Sequence, residues 1–508
     1  MVVCCGKIIA LGKKSNEFSS LNIDHVYDLE QKTVLPAFGD AHLHFLWMAR
    51  RFFEADLSGT RSPNEVFERL TDFAHSEYAD TEWLVGRGFN KNLWPDFRPH
   101  RKYLDTLFPD RPVFLQSQDC HSAWVNTQAL RRAHIHSQTK NPSGGYIEKD
   151  NAGEPTGLLY DQAASMVSAH IPEPNTARLN SAAIRLIRQL HAFGITRIHS
   201  MGNTDAFTFW QSFHQKHPNS LRVTLYFQQS EIETLIAAGL RSGFGSRWLR
   251  IGGIKFFSDG SLGSQTALLS HPYRGSDNHY GLALLEQKEL NERIRRAECH
   301  GLAVAVHAIG DHAVERVLKA LKQSEPCRKK QHLISRIEHA QLIRADLLPL
   351  FRQYGLVASV QPIHIADDIP LAEKYWGTRS RWAFAFHSLL GTGIPLAFGS
   401  DAPVAEPDPV KGIFSAVNRR YRFSIEQPVW YPQESLNTVE AFKAFTFGSA
   451  LAGNEHKATG TLEVGKDADF IVMNKDPFSL PESDLLSVAV ERTYLAGECV
   501  YTASHADE

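Results

Sequence analysis

From about residue 176 to 453 the chain alternates helical and strand-like segments, and this restricts the fold more than any other feature. Amphipathic helix Thr176–Phe193 precedes the short apolar strand Ile195–His199. Helix Thr204–Lys216 precedes strand Leu221–Phe227, and helix Ile232–Ser242 precedes strand Leu249–Phe257. Helix Glu286–His300 leads to strand Leu302–His307, Ala313–Gln323 to Leu333–His339, and Ala345–Tyr354 to Leu356–Val360. A helix near Arg381–Leu390 leads to strand Ile394–Gly399, and Leu436–Leu451 closes the series as a helix. With Thr33–Phe38 as the first strand, the series predicts eight strands. Strands alternating with helices specify a parallel sheet. Eight such units point to a closed (β/α)8 TIM-type barrel of class α/β rather than an open sheet. No GxGxxG follows a strand, which removes the usual dinucleotide-binding motif.

Residues 50 to 175 interrupt the alternation, with Trp83, Trp94, Trp124 and the pair Gly144-Gly145. An insertion of that length after the first strand is expected over the carboxyl end of the barrel, as a lid or substrate wall. Both ends of the chain are strand-rich. Val2–Cys5 and Lys7–Leu11 flank Gly6, and His25–Leu29 and Thr33–Leu35 flank a polar turn. Near the other end come Phe470–Met473, Val488–Thr493 and Cys499–Tyr501.

Composition excludes several classes. Hydrophobic residues make up 43% of the 508 and charged residues 22%, which is globular and neither disordered nor fibrous. The formal charge is −2, so neither nucleic acid nor an anionic membrane is expected as a partner. The six cysteines (Cys4, Cys5, Cys120, Cys299, Cys327, Cys499) contain no CxxC, so a disulfide framework and a cysteine zinc site are not expected. A reducing, cytoplasmic compartment fits. The start MVVCCGKIIALGKK has no long apolar core or small-residue cleavage site, so no signal peptide is expected. No run reaches the length of a membrane span.

With 24 histidines in the chain, roughly one HxH pair is expected by chance, so the motif alone carries little. His134-Ile135-His136 follows the Arg131-Arg132 end of an expected surface helix, and no metal role is assigned to it. His42-Leu43-His44 differs by context. Period-2 spacing puts both rings on one face of a strand, at the carboxyl end where barrel active sites form. His307, His339 and Asp401 also follow or end predicted strands. Lys255 lies inside the apolar run Ile251–Phe257, where a charge must be paired or neutralised. Taken singly, each is more often structural. Jointly they place metal-type residues at the carboxyl ends of strands one, four, five, six and eight. Asp259 shares the strand parity of Lys255, about 13 Å further along, as a substrate contact or direct carboxylate ligand. Four histidines, an aspartate and a lysine suit two divalent metals, zinc first, with manganese, iron or cobalt also accommodated.

Pro36–His44 (PAFGDAHLH) resembles the first-strand motif of the amidohydrolase superfamily. The similarity is closer to amidohydrolase family 3, of the N-substituted formamide deformylase-like type. DCHSAWVN (119–126), IKFFSDGSLGSQTA (254–267), VHAIGDHA (306–313), RIEHAQ (336–341), GSDAPV (399–404) and GTLEVGKDAD (460–469) resemble the same subgroup. The resemblance implies a barrel over 37–453 and a small β-sandwich composed of 1–36 and 454–508. It implies that His42, His44 and Asp401 hold one metal, His307 and His339 the second, and that carbamylated Lys255 bridges them. It further implies a metal-bound hydroxide as nucleophile, with Asp401 as general base delivering the proton to the leaving nitrogen.

The sequence departs from that family in places. Gly39 alters the usual Gly-Phe-Ile-Asp run, and Gln265 and His312 stand where arginine is frequent. The start is late, so a first strand or two of the sandwich are expected to be missing, through truncation or a misassigned initiator methionine. Further candidate substrate contacts are His121 and Trp124 in the insertion and Gln361 at the end of strand seven; His364 and His387 read as ordinary polar residues. The expected activity is hydrolysis of a non-peptide C–N bond in a small linear amide or formamide-like molecule. Two alternatives stay open: a cyclic amide or lactone hydrolase on the same metals, and an idle regulatory or binding homologue. Filled ligand positions argue against the last. A homodimer stays open.

Overall fold

Eight parallel strands follow one another around a barrel in chain order: Phe38–Leu43, Ile195–Gly202, Arg222–Gln228, Leu249–Phe257, Ala303–Ala308, Arg336–His339, Val357–Val360 and Leu396–Phe398. The computed structural model describes residues 1–503 apart from positions 14, 19, 78, 80, 81, 95, 119–121, 143 and 144. The strands are almost wholly buried, as parallel strands covered by helices must be. Eighth meets first through backbone bonds, Asp401 N–H to His42 O and His44 N–H to Ala402 O, both at 2.7 Å. Asp40 reinforces this closure by accepting from the Ser400 amide and hydroxyl.

The first barrel strand begins later than the expected Thr33–Phe38. Thr33–Pro36 instead pairs antiparallel with Phe470–Met473. The apolar run is continuous, but its backbone partners switch at one residue. Ala37 N–H donates to Asp469 O, whereas Phe38 N–H donates to Gly194 O at the base of the next barrel strand. Thr33–Pro36, Phe470–Met473, Val490–Leu495 and Glu498–Thr502 form a four-stranded antiparallel sheet from both ends of the chain. A hairpin of Val2–Cys4 and Lys7–Ala10 adds Ile8 to the same apolar cluster as Phe470, Val472 and Tyr494. The expected strand at His25–Leu29 does not form; Val26 and Tyr27 there are largely exposed.

A one-residue irregularity in the fourth strand fixes which way its charges point. Register shifts where Leu225 pairs with Ile251 and Tyr226 with Gly253. Gly253 has φ 158°, and a Cβ there would meet Ala303 O at 2.0 Å, so only glycine fits this approach. Such a bulge reverses the side-chain parity of the residues beyond it. Arg250 and Lys255 are five apart, yet Arg250 lies 3.7 Å from the buried Glu455 and Lys255 is itself buried.

Residues Met1–Leu46 with Arg185–Glu508 form one compact unit, and Trp47–Ile184 a second. The second contains a six-stranded mixed sheet, in the order Ala55–Asp56, Leu84–Phe89, Val113–Ser117, Ser122–Val125, Pro155–Asp161, Gly145–Lys149. Helix Pro63–Ala74 covers part of it, started by Ser62 as N-cap and Pro63 at the first turn. Its core joins Val66, Leu70, Phe89, Trp94, Leu115 and Trp124.

A disulfide links Cys299, at the end of helix Gln287–Cys299, to Cys327 inside the neighbouring helix Asp311–Lys330. This cross-link has no spacing signature in the sequence, because its partners come from two helices brought together by the barrel. Among the described residues, no helix is long and apolar enough to cross a membrane.

Candidate metal centre at the barrel mouth

His42, His339 and Asp401 come together at the carboxyl ends of strands one, six and eight. Their ligand atoms all lie within 4.8 Å of one another, and all three residues are buried. Asp401 Oδ1 is 3.3 Å from His42 Nε2 and 3.2 Å from His44 Nε2. The His339 ring lies 5.2 Å from that of His42 and 4.5 Å from that of His307, centroid to centroid.

Backbone geometry explains how His339 joins the group. In a regular strand Glu338 and His339 would face opposite sides. His339 has φ 67° and Ala340 φ 43°, a left-handed turn that these residues adopt only under constraint. The turn lets Glu338 bond to His42 while His339 also turns to the same group. Asp401 has φ 58° and is held there by its bond to His42 O.

The electrostatics suit ligation. Burial, aided by the Lys255 charge, lowers the His42 pKa to about 4, and the same two causes lower His307 to about 3. His339 is held well below its usual value, first by burial and then by His307. These imidazoles are therefore neutral at neutral pH, with lone pairs to give. Burial pushes the Asp401 carboxyl up, but it is held well below its usual value, and the hydrogen bond from His44 keeps it ionised.

Lys255 Nζ is fully buried and has no hydrogen-bond partner among the described residues. Burial lowers its pKa to about 8 against the opposing pull of Glu338 and Asp401. Neutral imidazoles around a carboxylate are a donor set for a cation, and a buried Lys255 without a hydrogen-bond partner beside them is a site for a modifying group. The residues therefore fit a divalent metal.

Other sequence candidates fall as follows. His307 Nε2 lies 2.9 Å from the Gly260 carbonyl. That oxygen can only accept, which leaves Nδ1 as the lone-pair atom. Asp259 is buried and accepts from the amides of Leu268, Ile309 and Gly310; burial raises its pKa to about 7 despite these bonds. Gln361 is buried just beyond strand seven, with Nε2 unpartnered among the described residues. Trp124 is fully buried in the core of the second unit, against Phe89, Trp94 and Phe97. His121 lies outside the described residues. Sequence reasoning missed Glu338, whose Oε2 is 2.6 Å from His42 Nδ1. Its only signal is its place beside His339.

The chain matches the Amidohydro_3 amidohydrolase family over residues 25–501. It is 32% identical to the putative amidohydrolase YtcJ of Bacillus subtilis over 487 residues, covering 94% of this chain and 90% of that protein. N-substituted formamide deformylase of Arthrobacter pascens is 25% identical over 538 residues, covering 99% and 94%. A solved metal-dependent hydrolase from Pyrococcus horikoshii superposes with a TM-score of 0.80 at 28% identity, covering 94% of each chain. With this fold and this buried ligand cluster, the chain belongs to amidohydrolase family 3, within the superfamily of metal-dependent hydrolases.

Proposed function

We propose that this protein hydrolyses a C–N bond other than a peptide bond, in a small linear amide or formamide-like molecule. The observation that carries the proposal is the His42–His339–Asp401 group with the orphaned Lys255 amine beside it. Similarity to N-substituted formamide deformylase along nearly the whole chain supports the substrate class. His42, His44 and Asp401 would hold one divalent metal and His307 and His339 a second, with Lys255, carbamylated by CO₂, shared between them. Imidazole and carboxylate donors favour zinc, and manganese, iron or cobalt are also accommodated. A metal in such a site lowers the pKa of water toward neutrality and polarises a carbonyl.

The chain's own residues supply the proton traffic. Asp401, ionised and aimed between His42 and His44, accepts the proton of the attacking water on its carboxylate. It returns that proton to the departing nitrogen as the C–N bond breaks. Gln361 offers an amide N–H for the substrate. Burial of the group excludes bulk water and strengthens each of these interactions.

The test is hydrolysis by the zinc-loaded protein of a panel of N-substituted formamides, linear amides, cyclic imides and lactones. Turnover of the first two classes, lost in His307→Ala, is expected. Turnover confined to the cyclic substrates, or none by protein that carries metal, contradicts the proposal.

A further inference from the structure

A line of buried charged and polar side chains runs from His42 into the barrel, where branched apolar residues ordinarily stack in layers. Glu338 Oε2 is 2.6 Å from His42 Nδ1, and Glu338 Oε1 is 2.7 Å from Arg336 Nε. Arg336 Nη1 donates to His199 Nδ1 at 2.8 Å, and its guanidinium lies 4.2 Å from the Tyr226 ring centroid. His199 Nε2 faces Glu455 Oε2 at 3.6 Å, and Glu455 also accepts from Thr224 Oγ1 at 3.1 Å. Every member is buried.

Each link settles the state of the next. An arginine can only donate, so His199 Nδ1 accepts and the His199 proton sits on Nε2, facing Glu455. Arg336, held by His199 and stacked on Tyr226, sets its Nε against Glu338 Oε1 and so holds that carboxylate in place. A carboxylate can only accept, so His42 carries its proton on Nδ1 and presents the Nε2 lone pair to Asp401. A buried ion pair is a poor device for stability, since apolar residues of the same volume usually serve as well or better. This one ends on the ring of a candidate metal ligand.

We infer that Glu338 and Arg336 are positioning residues, which fix the tautomer and orientation of His42 so that it is preset to bind a divalent metal through Nε2. The inference rests on the metal-dependent function proposed above.

The test measures zinc affinity of the full chain by competition with a chromogenic chelator, alongside circular dichroism and thermal unfolding. The double variant Glu338→Leu/Arg336→Met removes the acceptor together with the guanidinium paired to it, so it is the variant expected to fold. Its zinc affinity is expected to fall 10–100-fold, the usual effect of losing the group that orients a ligating histidine, with the thermal midpoint unchanged or raised. Glu338→Asp, which keeps a shorter carboxylate, is expected to fall between that variant and wild type. A folded double variant that binds zinc as tightly as wild type overturns the inference. Wild-type protein that binds no zinc overturns the metal-dependent function itself, which is a separate outcome.

Discussion

His42 and Asp401 are tied together twice, by the Asp401 amide donating to the His42 carbonyl at 2.7 Å and by Asp401 Oδ1 lying 3.3 Å from His42 Nε2. The residues that close the barrel between its first and last strands are thus the ones that bring the ligand atoms together. Barrel closure and site assembly are one structural event.

Asp401→Asn separates the two roles. The backbone bond remains, while the charge and the proton-accepting oxygen are lost. Amide turnover should fall by about 10²–10⁴-fold, the usual contribution of a general acid–base, with little change in the urea unfolding midpoint. Steady-state kinetics and a urea titration on the same preparation check this; undiminished turnover contradicts it.

Trp124→Ala acts on stability. Trp124 is fully buried among Phe89, Trp94 and Phe97 in the second unit. Truncating such an aromatic side chain costs about 3–5 kcal/mol. Unfolding followed by tryptophan fluorescence should show the second unit melting early, and a loss below about 1 kcal/mol would mean the site relaxes to fill the space.

Two histidines away from the candidate metal centre should make stability fall in acid. His191 and His214 are both held at about 4 by burial. Because the folded-state pKa lies below the unfolded value near 6.5, the unfolded chain takes up these protons first. Their neutral burial is therefore without penalty above about pH 6.5 and increasingly unfavourable as pH falls toward 4. The difference in urea midpoint between pH 7.5 and pH 5 should shrink in His191→Gln/His214→Gln; an unchanged difference would assign the acid sensitivity elsewhere.

The Cys299–Cys327 cross-link encloses a loop with a sequence separation of 28. Chain-entropy arithmetic gives about 3–4 kcal/mol for a loop of that size. Cys299→Ser/Cys327→Ser should lose about that much in urea unfolding, and wild type under reducing conditions should match the variant. A variant as stable as oxidised wild type would show that the helix pair holds the loop unaided.

Strand-end position makes much of the candidate metal centre legible in the sequence. His42, His44, His307, His339 and Asp401 each end or follow an apolar run, and eight such runs must converge on one mouth. Glu338 stays hidden because strand parity turns it away from His339, and the left-handed turn that reconciles them leaves no mark in the residue types. The first barrel strand reads too early because the apolar run of residues 34–39 spans the end of one strand and the start of the next, and only the change of backbone partner after Ala37 divides it. The fold of the second unit is out of reach for another reason. Its sheet mixes parallel and antiparallel pairs and includes a strand of two residues, Ala55–Asp56, too short for any periodicity to show.

The most direct experiment measures bound metal and linear-amide turnover together, on one preparation, through chelation and reloading. Chelation should remove both, stoichiometric zinc should restore both, and His339→Ala should bind less zinc and turn over more slowly. Metal-free protein that still hydrolyses the amide at the full rate would contradict a metal-dependent mechanism at His42, His339 and Asp401.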